Sequence, residues 1–257
     1  MLNKLSEADF AGLRGPFESE RQSPANIGTI LVLAIFLQAL LLFLEFFIGR
    51  HTILPYSENI ILIHLGLSIL LALFSILFAF PSVYIKKQKS QFFISILVSQ
   101  NLFGISAYLL ALIALGTNES GLNSNPSSIL SFTIVTLIIG FFIFFITSIR
   151  FYTLLKQGQY GIDTKKSDAR RKFEAKSYVP LAIVSGVGVL FILQYLFRTF
   201  SLQNMDIMLM IVMGILIFYA MLFVLPEQLV LLYCKRRFKS FNYSKNGKLN
   251  PMGRMDK

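Results

Sequence analysis

Tryptophan is missing, cysteine occurs once, histidine occurs twice and charged residues make up only 14% of the 257 positions. Each shortage excludes something. Cys234 alone cannot form a disulfide framework, and two histidines do not suffice for a His-rich metal cluster, so neither metal nor cofactor is expected. Without tryptophan, anchoring at a membrane surface falls to tyrosine, lysine and arginine. A soluble domain carries roughly 25% charged residues. The deficit here lies in long uncharged runs and points to an integral membrane protein. Catalytic patterns are missing too: there is no G-x-S-x-G, no H-E-x-x-H and no paired acidic motif of membrane proteases. Cys234 has no base beside it to make it a nucleophile. The expected protein is not an enzyme.

What is present is apolar residue, at 55%. About 20 such residues cross a ~30 Å hydrocarbon core. Six segments qualify, at about 27–49, 59–85, 92–115, 128–150, 179–198 and 206–232, and none has an interior lysine or arginine. The basic residues are distributed very unevenly. Of the 24 lysines and arginines, all but Arg50 and Arg198 fall in the N-terminal segment, the second and fourth connections and the C-terminal segment. Positive flanks stay cytoplasmic. The expected fold is therefore an all-α polytopic membrane protein with six transmembrane helices and both termini cytoplasmic. Its parts are a cytoplasmic tail (1–26), a transmembrane domain (27–232) with a basic cytoplasmic loop (151–178), and a basic cytoplasmic tail (233–257). Glu7, Asp9, Glu18 and Glu20 make the first tail unlike a signal peptide. The net charge of +11 lies beside spans, where anionic lipid is its expected partner and nucleic acid is not.

The connections carry local signals. "GTNESGLNSNPSS" reads as a solvated outer loop. "RFYTLLKQ" is expected to continue the fourth helix past the membrane edge, and "GQYG" to break it.

Polar residues within spans are few, and their desolvation cost makes them candidate functional groups. They are Gln38, Glu45, His64, Gln100, Asn101 and Gln194. The amides Gln38, Gln100, Asn101 and Gln194 suit helix-to-helix hydrogen bonding or the lining of a path. Glu45 lies four residues before the outer end of the first span and His64 five after the outer start of the second. At 1.5 Å per residue, both sit roughly 6–8 Å below the outer edge. On neighbouring antiparallel helices they are expected to meet, either as a proton relay or as a tie between helices.

A seventh candidate, Glu227, stands in "FVLPEQLVLLYCKRR". Residues 207–225 already span the membrane. The expectation is that Pro226 bends the chain at the cytoplasmic edge and that Leu229–Phe241 lies along the interface. The alternative is a continuous helix with a buried Glu227. Ala182, Ser185, Gly186 and Gly188 form a small-residue face suited to close helix approach, within one chain or between two copies.

Two function classes remain. The stretch "GPFESERQSPANIGTILVLAIFLQALLLFLEFF" (15–47) resembles multi-pass membrane proteins of low-GC Gram-positive bacteria encoded beside type VII secretion and toxin–immunity genes. The resemblance implies a non-enzymatic accessory or immunity role with a membrane or secreted protein partner, and it carries no site residues with it. The other class is a small transporter or permease subunit. In size and span number the chain is similar to permease subunits of bacteriocin-immunity ABC transporters, but "KKQKSQ" is too short for their coupling segment. No polar pathway through the spans is evident from the sequence, which favours the accessory class.

Overall fold

The computed structural model describes residues 5–117, 125–161, 164 and 205–253. Those residues are helical, with isolated bridges Thr52–Thr117 and Tyr243–Leu249 in place of strands. Five helices are long and apolar enough to cross a membrane: α1 (Pro24–Gly49), α2 (Ser57–Ala79), α3 (Gln88–Leu115), α4 (Pro126–Lys156) and α5 (Met205–Arg237). The fifth sequence span, 179–198, lies outside the described residues. Exposed Leu, Ile, Val and Phe side chains belt the bundle, most heavily on α4 at Ile134, Ile138, Phe141, Phe142, Phe145 and Ile149. Such a surface suits hydrocarbon rather than water. The protein is a membrane-embedded helical bundle.

The helix boundaries have local causes. Ser23 Oγ accepts from the Asn26 amide ahead of α1, and Asn125 Oδ1 accepts from Ser128 N ahead of α4. Each helix then opens with proline, whose missing N–H costs nothing there. α2 stops at Ala79, short of residue 85, because Pro81 forces Phe80 into an extended conformation (ψ 131°). The chain then turns through a short helix, Pro81–Tyr84, into α3. α4 runs past residue 150 to Lys156, and Gly158 ends it with φ +68°, which a side chain would resist.

Two apolar clusters mark the ends of the bundle. One gathers Leu54, Ile61, Leu112, Ile113, Ile129 and Ile211 beside the α1–α2 connection. The other is a cap built from both chain ends: Phe10, Leu13 and Phe17 pack with Leu231, Leu232, Cys234 and Phe241. The two end segments pack on each other. Tyr243 Oη donates to Phe17 O (2.6 Å), Arg14 Nη2 to Asn250 O (3.0 Å), and Gly12 N to Tyr160 O (2.6 Å) beyond α4. Burial, with Glu20 nearby, pushes the Tyr243 phenol up to about 12, so it remains a donor at neutral pH. Lys235 is fully buried; its Nζ donates to Phe241 O (3.0 Å) and stands 4.6 Å from the centre of the Phe17 ring.

The cap corrects the expected interfacial segment. α5 continues through Pro226 to Arg237 without a break. Residues 229–241 do not lie free along an interface, because Phe10, Leu13 and Phe17 supply the apolar partner that the membrane surface was expected to supply.

Candidate functional site

The interface of α1, α2 and α3 holds most of the buried polar side chains in the spans. Gln38, Glu45, His64, Ser68, Asn101 and Ser106 are each at most 3% exposed. Glu45 on α1 and His64 on α2 are brought together: His64 Nδ1 lies 2.7 Å from Glu45 Oε2. Matched depth on antiparallel neighbours is the cause, as the spacing suggested.

The pair does not stand alone. His64 Nε2 faces two hydroxyls, Ser68 Oγ at 3.4 Å and Ser106 Oγ at 3.5 Å. Ser68 sits one turn along α2 from His64, on the same face. Asn101 Nδ2 donates to Ser68 Oγ (2.9 Å), which joins α3 to the network. Asn101 belongs to a π-helical turn, Gln100–Ile105, within α3. Such a turn takes up an extra residue and changes which side chains share a face. Here adjacent amides serve opposite sides of α3. Asn101 reaches α2, while Gln100 Nε2 donates to Met221 O (3.2 Å) and Gln228 Oε1 (3.0 Å) on α5.

Polar groups continue toward the cap. Gln38 lies two turns from Glu45 on the same face of α1. Ser75 Oγ donates back to Leu71 O (2.8 Å). Gln91 Nε2 closes the series, donating to Pro24 O (2.8 Å) and Phe78 O (3.0 Å). Leu71 and Phe78 are interspersed on the same face of α2. Several buried polar atoms have no hydrogen-bond partner among the described residues: Glu45 Oε1, Asn101 Oδ1, Gln91 Oε1 and both amide atoms of Gln38. A buried polar atom without a partner is costly, and ordered water is the usual remedy.

A carboxylate on one imidazole nitrogen and hydroxyls on the other can hold a proton and pass it, in a tautomer that depends on which side donates. As a metal site the pair is short of ligands, since among the described residues no third His, Cys, Asp or Glu joins it.

The remaining sequence candidates lie elsewhere. Glu227 is half-buried on α5. Gln194 and the small-residue face Ala182, Ser185, Gly186 and Gly188 lie outside the described residues. A close helix contact does occur, between other residues. A Cβ on Gly214 of α5 would fall 2.5 Å from Ala107 O and 2.9 Å from Ala111 Cβ on α3. Beside it Tyr108 stacks on Phe218 at 4.4 Å, and its hydroxyl meets Thr136 Oγ1 of α4 at 2.6 Å.

Sequence reasoning missed Ser68, Ser75, Ser106 and Gln91. The serines of α2 were detectable through their spacing from His64, four and eleven residues on. Ala107 and Ala111 are themselves a small-xxx-small pair, which was the available signal for the α3–α5 contact. Comparison with protein-family models, with curated proteins and with solved structures finds no match to this chain.

Proposed function

We propose that this protein is a small, non-enzymatic transporter of a bacterial plasma membrane, and that it moves protons, alone or with a solute, along the α1–α2–α3 interface. The Glu45–His64 pair carries this reading, together with its extension through Ser68, Asn101 and Ser106. An ionisable pair in a span is expensive to bury and is a functional site by default. The serines and glutamines that continue toward the cap change the sequence-based preference, which rested on the lack of a polar pathway.

The proposed topology is six spans with both termini cytoplasmic. Charge asymmetry supports it. So does the course of the chain: Leu155 lies in the cap cluster and Ile211 in the opposite one, which suits one further crossing between α4 and α5. Cysteine placed at Ser120 is expected to react with an impermeant thiol reagent in intact cells, and cysteine at Ser167 is not. The native Cys234 is fully buried and gives no background. The reverse labelling pattern would overturn this orientation.

The activity is tested in proteoliposomes loaded with a pH-sensitive dye under an imposed potassium diffusion potential. The native protein is expected to pass protons, and Glu45→Gln to lower the flux at least about tenfold while keeping its thermal midpoint in detergent. Flux equal to that of empty liposomes would exclude proton conduction on its own, and equal flux in both proteins would exclude the pair.

One observation favours a second reading, a membrane accessory or immunity protein that engages a membrane or secreted protein. Gln91 seals the cap end of the polar interface by bonding across Pro24 and Phe78. A static tie between helices would look like this, and it would give no flux in the same assay.

A further inference from the structure

The end of the α2–α3 connection and the first turn of α3 carry three lysines in four residues, Lys86, Lys87 and Lys89, all exposed. They line one groove of about 420 Å³ with Ile85, Ser90 and Asn242. No acidic side chain lines it, and among the described residues none of the three lysines has an ion-pair partner. The fold fixes the backbone that carries them. Gln88, between Lys87 and Lys89, is clamped to the C-terminal segment through both atoms of its amide: Nε2 donates to Tyr243 O (2.8 Å) and Oε1 accepts from Tyr243 N (2.9 Å). Lys89 Nζ donates to Arg236 O (3.3 Å), which brings the exposed end of α5 to the rim. A phosphate placed among the three lysines is attracted by each of them.

Two further features select the anion. α3 begins at Gln88 without a side-chain cap, so the positive end of a long helix adds unsatisfied N–H groups to the lysines. This is the arrangement that phosphate favours. The groove also lies at the edge of the apolar belt, since Phe80 and Ile85 beside it are 56% and 41% exposed. A phosphate at this depth can keep acyl chains attached.

We infer that the groove formed by Lys86, Lys87, Lys89, Ser90 and Asn242 binds a phosphate group, and that its natural ligand is the headgroup of an anionic phospholipid. This goes beyond the transport reading and does not depend on it. The site fixes one lipid against the joint between the cap and the spans.

The test uses the full chain in phosphatidylcholine vesicles containing spin-labelled phosphatidylglycerol or spin-labelled phosphatidylcholine, and reads the motionally restricted fraction. A lysine near the surface is worth about fivefold in binding. The triple variant Lys86→Gln, Lys87→Gln, Lys89→Gln is therefore expected to lose at least about tenfold of the preference for phosphatidylglycerol. The control Lys156→Gln, Lys245→Gln, Lys248→Gln removes the same charge outside the groove and is expected to keep that preference. Equal loss in both variants, or none in the groove variant, would overturn the site. Thermal midpoints in detergent check that both variants fold. Inorganic phosphate at about 10 mM separates the sources: unchanged lipid binding supports the headgroup as ligand, whereas full displacement would overturn the lipid assignment in favour of free phosphate.

Discussion

α3 faces two neighbours through two different kinds of contact. Toward α1 and α2 it presents Asn101 and Ser106, and that contact is held by hydrogen bonds with several buried polar atoms left over. Toward α5 it presents Ala107, Tyr108 and Ala111, and that contact is held by close approach at Gly214 and by stacked rings. In a membrane neither side gains from hiding apolar surface, since lipid tails are as apolar as leucine. The small-residue contact therefore depends on fit, and the polar contact on pairing.

The difference can be tested by breaking each side in turn. The largest effect is expected at the fitted contact. Gly214→Leu drives a side chain into the Ala107 backbone, which cannot give way as a flexible side chain would, and is expected to cost about 3 kcal/mol. Unfolding in a graded mixture of denaturing and mild detergent reads the loss. A cost below about 1 kcal/mol would mean that the helices are not that close.

The polar side is expected to respond less in stability. In the same titration Glu45→Ala should cost about 1–2 kcal/mol and Ser68→Ala about 0.6 kcal/mol, the range of hydrogen bonds between membrane helices. The order matters more than the values. If Ser68→Ala cost more than Gly214→Leu, pairing rather than fit would dominate the bundle. The sharper contrast lies in activity, where Glu45 is expected to matter far beyond its contribution to stability.

Long apolar runs without interior charge made the five described spans legible, and equal depth made the meeting of Glu45 with His64 legible. Both follow from helix geometry alone. The extent of the polar interface was not legible for a different reason. A serine in a span can satisfy its hydroxyl on its own helix, as Ser75 does on Leu71 O, so its presence says little until a partner is known. The π-turn was also hidden, because an extra residue in a helix leaves no fixed pattern in a short apolar run. The cap was not legible from either end alone. Phe10, Leu13 and Phe17 have the spacing of one helical face, and "LVLLYCKRRFKSF" is apolar enough to need cover. That cover is the other end of the chain rather than the membrane surface.

The cap also sets a clock on biosynthesis. Phe17 waits for Tyr243, a partner 226 residues downstream. At about 5–20 residues per second, ribosomes need roughly 11–45 s to make that stretch. For that interval the three N-terminal apolar side chains stand without their final neighbours, while the early helices have time to enter the membrane. Closure of the cap therefore cannot precede synthesis of that segment, and a chain halted before it would expose the patch that the finished protein hides.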